Sequence, residues 1–386
     1  MRAIVAMDEG SVTGPISVDL IAAARPNFMK IAPLYHALAA ESWCRPRIVH
    51  TGQHYDANMS DAFFVDLGMP KPHVHLGVGG GGHGEQTGRV MIEYEKVCLA
   101  SRPEWIVVVG DVNSTLACAL VGAKLLVPVA HLEAGLRSGD RRMPEEINRL
   151  ATDAICDLLW TPSPDGDEHL AREGVPAAKI DRVGNIMIDS FELMAPKIRG
   201  AGMPAKLGVA KGEYGVVTLH RPSNVDDAVQ LRSIVAKLVG IAERLPLVFP
   251  VHPRTRQRLK DFGLAPALEG VPAIKLTEPL SYIEFMSLVM DCRFALTDSG
   301  GVQEETSYLG ISCLTLRENT ERPITVSLGT NRLVKIESLE DDVRRVLEAP
   351  RRSKCAIPLW DGRTALRVVA SLARHARAGL IGDVRP

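Results

Sequence analysis

Short, unbroken apolar runs alternate along this chain with segments of helical period. Residues 18–23 read as a buried strand, and residues 27–40 as a helix carrying Ile31, Leu34 and Leu38 on one face. A strand at 47–51 follows. Residues 106–110 (IVVVG) form a β-branched run leading to Asp111, and a small-residue helix at 114–124 comes next. Then come a strand at 127–133, a helix at 144–155 and a strand at 158–161. Runs that are apolar at nearly every position, each followed by a helix, predict a parallel sheet covered on both faces.

The rhythm breaks at residues 197–213, rich in Gly, Lys, Pro and Ala, where a linker is expected, and then resumes. Strands are predicted at 214–220, 247–251, 273–276, 294–297 and 313–316, and helices at 226–243, 281–290, 302–309 and 364–378. Two successive halves of this kind predict an α/β protein of two doubly wound, Rossmann-like domains facing a cleft. The expected division is a loose extension at 1–17, an N-terminal domain at 18–195, a C-terminal domain at 196–365, and a C-terminal helical segment at 366–386 packing back on the first domain.

Composition narrows the class. The 386 residues suit two domains, and 46% hydrophobic with 24% charged residues is ordinary for a folded protein. Lys and Arg number 45 against 46 Asp and Glu, so net charge gives no reason to expect nucleic acid or an anionic membrane. No run approaches the ~18 apolar residues of a membrane span. The first fifteen residues carry Asp8 and Glu9 and lack a basic start with an apolar core, so a cytoplasmic protein is expected. Seven scattered cysteines without a C-x-x-C pair point to reduced thiols rather than a zinc or disulfide framework.

Ligands of doubly wound sheets bind at the carboxyl ends of strands, so chemistry is sought there. The first half places Arg25, Lys30, Asp111, Glu133 and, at a helix start, Glu145 at such positions. The second half places His220, His252 and Asp298-Ser299-Gly300-Gly301. Two glycines opening a helix admit a phosphate to free N–H groups at the positive end of the dipole, although an ordinary capped turn reads the same way. Glu305 sits one turn inside, where an acid can hold a ribose diol or simply face solvent; Arg322 can pair with a diphosphate or lie on the surface. Asp111 and Glu145 fit a base or, equally, a helix cap and a dipole partner; Glu133, directly after VPVAHL, is harder to read as structural. The glycine run at 77–82 is expected to be a flexible loop, and His73, His75 and His83 are not expected to bind metal.

Together these segments resemble the non-hydrolysing UDP-N-acetylglucosamine 2-epimerases. The matching text is Ala24-Arg-Pro-Asn-Phe-Met-Lys30, His50-Thr-Gly-Gln-His54, Gly110-Asp111, His131-Leu-Glu-Ala-Gly-Leu-Arg137, Pro144-Glu-Glu-Ile-Asn-Arg149, Gly184-Asn185, Leu219-His-Arg221, Pro250-Val-His252, Thr297-Asp-Ser-Gly-Gly-Val-Gln-Glu-Glu305 and Thr320-Glu-Arg-Pro323, in family order. The resemblance implies a glycosyltransferase-B-like fold, a UDP-sugar as partner, no cofactor or metal, a homodimer, and a place in cell-surface polysaccharide synthesis. It implies catalytic roles for Asp111, Glu133, Glu145 and His220. Substrate contacts follow for Arg25, Lys30, His252, Ser299, Gly300, Gly301, Glu305 and Arg322. The implied reaction interconverts UDP-N-acetylglucosamine and UDP-N-acetylmannosamine through anti elimination of UDP, giving 2-acetamidoglucal, and re-addition. The alternatives are a hydrolysing epimerase, or action on a related sugar such as UDP-2,3-diacetamido-glucuronate. That subgroup shares His-Thr-Gly-Gln-His and Asn58-Met59-Ser60, whereas intact Thr-Glu-Arg-Pro and Gln-Glu-Glu favour N-acetylglucosamine. Asn27 stands where the family more often has an acid, and the text at Gln53-His54-Tyr55-Asp56 argues against activation by a second substrate molecule.

Overall fold

The computed structural model describes residues 14–52, 64–350 and 357–378. Most of the expected 1–17 extension and the motifs at 53–56 and 58–60 lie outside these residues. The first sheet contains β1 (Ile16–Ala22), β2 (Cys44–His50), β3 (Val74–His75), β4 (Trp105–Val109), β5 (Val129–Leu132), β6 (Leu158–Thr161) and β7 (Ile180–Arg182), in the order β3-β2-β1-β4-β5-β6-β7. β1 pairs parallel with β2 and β4, β2 with β3, and β4 with β5. The second sheet contains β8 (Gly215–Thr218), β9 (Leu247–Pro250), β10 (Ile274–Thr277), β11 (Phe294–Thr297), β12 (Ser312–Thr315) and β13 (Asn331–Leu333), in the order β10-β9-β8-β11-β12-β13, parallel throughout. The expected α/β class with two doubly wound parallel sheets is therefore present. In each sheet the winding reverses once, between β1 and β4 and between β8 and β11, and such reversals open a crevice at the carboxyl edge.

Packing gathers the described residues of Met1–Leu132, Asn148–Leu159 and Val368–Pro386 into one compact unit, and Glu133–Ile147 with Trp160–Arg367 into another. In the first, every residue of β4 is buried, as a run of Trp and β-branched side chains covered on both faces requires. Asp19 is the exception in β1: fully buried, it accepts from Arg47 Nε at 2.6 Å and Nη2 at 2.9 Å and from the Tyr94 hydroxyl at 2.9 Å, which ties β1 to β2 and to the helix His83–Ala100. In the second unit, Val217, Phe249, Phe294, Leu296 and Leu314 from the strands pack with Leu231, Ile234 and Leu238 from the helix Ala228–Ala242.

Several segments differ from the sequence expectation. The 197–213 linker is instead the end of a helix, Ile186–Ala201, and a short helix, Met203–Lys206. The buried stripe Ile188, Phe191, Met194, Ile198 carries the helix through Pro196, and Gly202 ends it at φ +59°. The helix His83–Ala100 was not anticipated. It buries Gln86, Val90, Tyr94 and Cys98, a clean four-residue period masked by its polar remainder. The helix Pro164–Arg172 carries proline in its favoured first turn. Asn27 stitches the helix Arg25–Ala39 in place: its Oδ1 accepts from Ala24 N at 3.0 Å and its Nδ2 donates to the Val109 carbonyl at 2.9 Å. Among the described residues no helix is long and apolar enough to cross a membrane.

Gly135 has φ +80°, and a Cβ there would run into the backbone of Gly166. Neither constraint can relax by a side-chain shift. Gly135→Ala is therefore expected to destabilise the protein by about 2–4 kcal/mol, read as a lowered urea midpoint with an unchanged slope.

Candidate active site

The turn after β4 sits at the winding reversal of the first sheet and is tethered at successive residues. His131 Nε2 donates to the Gly110 carbonyl at 2.8 Å, while its Nδ1 lies 2.6 Å from Asp153 Oδ1; both side chains are buried. Asn148 Nδ2 donates to the Asp111 carbonyl at 2.9 Å. Arg149 grips the Asp111 carboxylate with Nη2 at 2.6 Å and Nε at 3.1 Å. Asp111 does not cap the following helix, whose N-cap is Val112. It is instead a third exposed and held by a buried arginine, which fixes one orientation. In the same unit Arg25 opens the helix Arg25–Ala39, and Lys30 lies buried along it.

The second unit holds the remaining candidates. Glu133 is buried and adopts φ +72°, a left-handed conformation that costs a non-glycine residue about 1 kcal/mol or more. Its N–H and that of Ala134 both donate to the Trp160 carbonyl at 3.1 Å, which fixes the distortion. Glu145 is exposed in the first turn of the helix Pro144–Ile155. Its neighbour Glu146 is buried and accepts from Ser138 N and Oγ and from Gly139 N, so it shapes the preceding loop.

At the winding reversal of the second sheet, His220 follows β8 and Asp298 follows β11. Asp298 is fully buried and accepts from the backbone N–H of His220 and Arg221, from Asn224 Nδ2 at 3.0 Å, and from His220 Nδ1 at 2.9 Å. Burial pushes its carboxyl upward, but the His220 ring, Asn224 and the Arg221 N–H outweigh that and hold it below the ordinary carboxylate range. An ionised Asp298 on Nδ1 orients the His220 imidazole and leaves Nε2 as the ring's working atom. The His252 ring lies 5.5 Å away, centre to centre, and its Nδ1 caps the helix Pro253–Asp261. Burial and the neighbouring His220 ring lower its pKa.

Ser299 is the N-cap of the helix Gly300–Leu309, without a side-chain capping bond. Gly300 faces a buried ionic cluster: a Cβ there would stand 2.8 Å from Glu321 Oε1 and 3.2 Å from Arg322 Nη1. Arg322 is 12% exposed, with Nε 2.6 Å from Glu304 and Nη1 3.1 Å from Glu321, and Arg317 meets Glu321 at 2.9 Å. Burial lowers the Arg322 pKa, and the charges of Glu304, Glu321 and Glu133 more than reverse this. Burial raises the Glu321 carboxyl, but Arg322 and Arg317 bring it down to about 2. Arg322 is thus a buried, permanently charged group at a glycine-opened helix start, rather than a surface arginine. Glu305, also read as a possible solvent-facing acid, is 4% exposed and accepts from the Tyr282 hydroxyl at 2.7 Å. Burial, aided by Glu304 and opposed by the Tyr282 bond, pushes its pKa up to about 8.

Of the candidate residues, Asp111 lies in the first unit, and Glu133, Glu145, His220, His252, Ser299, Gly300, Gly301, Glu305 and Arg322 lie in the second. Sequence reasoning placed Asp298 at a strand end without a role of its own, and gave no role to Arg149 and Tyr282. The strand end announces Asp298, but not its grip on the His220 ring and on the His220 and Arg221 N–H groups, 78 and 77 residues away. Arg149 and Tyr282 find their carboxylates across 38 and 23 residues of chain, a pairing no local pattern announces.

A family model described as UDP-N-acetylglucosamine 2-epimerase matches residues 36–373. The UDP-N-acetylglucosamine 2-epimerase of Methanocaldococcus jannaschii is 42% identical over 366 residues, covering 92% of this chain and 99% of that protein. The UDP-2,3-diacetamido-2,3-dideoxy-D-glucuronate 2-epimerase of Pseudomonas aeruginosa is 44% identical over 317 residues, covering 81% of this chain and 87% of that protein. Among solved structures, the M. jannaschii enzyme in complex with UDP-GlcNAc and UDP superposes with a TM-score of 0.82 at 41% identity, covering 93% of this chain and all of that one.

The raised pKa of Glu305 has a signed consequence. An acid that titrates at about 8 when folded and near the ordinary 4.5 when unfolded contributes full stability below pH 4.5 and loses it as pH rises toward 8. Glu305→Gln, which cannot ionise, is therefore expected to match the parent at pH 4 and exceed it by about 3 kcal/mol near pH 7. Denaturant titrations of the ligand-free proteins at the two pH values measure this difference.

Proposed function

The chain belongs to the UDP-N-acetylglucosamine 2-epimerase family, and from that premise we propose that it inverts C2 of UDP-N-acetylglucosamine without net hydrolysis. The observation that carries this reading is the division of chemistry between the two winding reversals. One presents Asp111, gripped by Arg149. The other presents an oriented imidazole, a glycine-opened helix start and a buried arginine, the groups that a departing diphosphate needs.

The C2 proton of the sugar is not acidic in the ground state, so direct deprotonation is too slow. Breaking the C1–O bond sends its electron pair to UDP and leaves an oxocarbenium-like centre, which acidifies C2–H. A carboxylate takes that proton, the C2–H pair becomes the C1=C2 bond, and 2-acetamidoglucal and UDP result. A proton delivered to C2 from the opposite face, with UDP oxygen returning to C1, completes the inversion. Asp111, Glu133 and Glu145 are the proton-transfer candidates, two of them acting on opposite faces. Ser299, Gly300, Gly301 and Arg322 stabilise the diphosphate, and His220 acts on it through Nε2. Arg25, Lys30 and His252 complete the substrate contacts. Glu305, uncharged near neutral pH, holds the ribose diol.

Incubation with UDP-N-acetylglucosamine in D₂O is expected to place deuterium at C2 and to yield some UDP-N-acetylmannosamine. Free N-acetylmannosamine with stoichiometric UDP would mark a hydrolysing enzyme instead, and an absence of exchange in folded protein sinks the reading. The resemblance to the P. aeruginosa enzyme supports a second reading, action on UDP-2,3-diacetamido-glucuronate, and the same assay with that sugar separates the two. Asp111→Asn and Glu133→Gln are each expected to fold and to lose turnover by roughly a hundredfold or more. Near-parent rates in steady-state assays would remove those residues from the proton-transfer steps.

A further inference from the structure

His83, given no part in the chemistry above, is wired to Asp111. His83 heads the helix His83–Ala100, which follows β3, so it too begins at the carboxyl edge of the first sheet. Its Nδ1 lies 3.2 Å from Asn113 Nδ2 and 3.4 Å from Asn113 Oδ1. Two neighbours fix which way the Asn113 amide points. Asn148 Nδ2 donates to Oδ1 at 3.2 Å, and Nδ2 donates to Gln86 Oε1 at 2.8 Å. With the amide set this way, the nearer atom, Nδ2, gives its second hydrogen to His83, so Nδ1 accepts and the ring proton sits on Nε2. The same Asn148 amide donates to the Asp111 carbonyl. Asn113, Gln86 and Asn148 are all buried, whereas His83 is exposed. Three buried amides thus hold one exposed imidazole in a single tautomer, locked to the backbone of Asp111. A Cβ on Gly79, Gly80 or Gly82 would touch nothing within 4 Å, so the run before His83 lies in open space rather than in packed structure.

We propose that His83 is a specificity-determining residue that donates its Nε2–H to the acetamido carbonyl of the sugar. The inference rests on the epimerase reading. Within that reading, Asp111 is one of the proton-transfer candidates at C2, and the acetamido group is the substituent on that carbon. A donor held in register with Asp111 through Asn148 and Asn113 is placed to recognise it, and a ring whose Nδ1 is occupied by Asn113 presents its Nε2–H as one donor to one acceptor.

The test compares three ligands on the parent and on His83→Ala: UDP-N-acetylglucosamine, UDP-glucose, which lacks the acetamido group, and UDP. For His83→Ala the KM of UDP-N-acetylglucosamine is expected to rise about tenfold, while the inhibition constants of UDP-glucose and UDP stay at their parent values. An unchanged KM, or an equal weakening of all three ligands, overturns the proposal. Should His83→Ala fail to fold, His83→Phe keeps the ring's bulk without its nitrogens and carries the same comparison. A folded parent that neither binds nor turns over UDP-N-acetylglucosamine overturns the epimerase reading itself, and this proposal with it.

Discussion

Parallel pairing in the middle of each sheet is the constraint from which the rest follows. β4 and β11 are flanked by strands on both sides and buried on both faces, so their side chains are apolar but for Thr297 at the end of β11. Functional groups are displaced to the residues just past the last apolar one. That is where Asp111 and Asp298 stand, each two residues after the last apolar residue of its strand, Val109 and Leu296. Because winding reverses beside each of these strands, the helices that follow the neighbouring strands diverge, and the edge is left open to a ligand. The fold therefore decides where chemistry can occur before any particular residue decides what it is.

What the fold leaves to side chains is orientation, and here it is done with buried charge. Asp298 under His220, Arg149 on Asp111 and the cluster of Glu304, Arg322, Glu321 and Arg317 each bring charges out of water and satisfy them with opposite charges or N–H groups. Such pairs add little net stability, since desolvation offsets most of the attraction, but breaking one partner leaves a costly orphan. Their contribution is to direction: a side chain locked on one side offers the substrate only its other side.

Much of this was legible in the sequence. The IVVVG run and FALT declare themselves as covered strands, and the alternation with helices declares parallel sheets. Residues that follow such runs, Asp111 and His220 among them, could be picked out because strand ends are where ligands bind. What escaped was whatever depends on contacts distant in the chain. The helix His83–Ala100 hid its apolar stripe among Glu, Gln, Thr and Gly. Residues 197–213 looked like a linker because composition registers glycine and proline but not the buried Ile198 that keeps a helix going. Glu305 and Arg322 read as ambiguous surface groups because burial is decided by elements far off in sequence. The clamp of Arg149 on Asp111 spans a whole helix and strand, so only folding reveals that one motif exists partly to hold another.

Glu133 adopts a backbone conformation suited to glycine or asparagine, and it does so buried at the end of a strand. On folding energy alone, a carboxylate is a poor occupant of that position. Under the proposed function, thermal robustness and chemistry pull in opposite directions there. Random selection for heat tolerance would drift toward glycine at this site and erase the acid while leaving the fold intact. A consensus or stability-guided redesign of this protein has to hold position 133 fixed and seek its gains elsewhere.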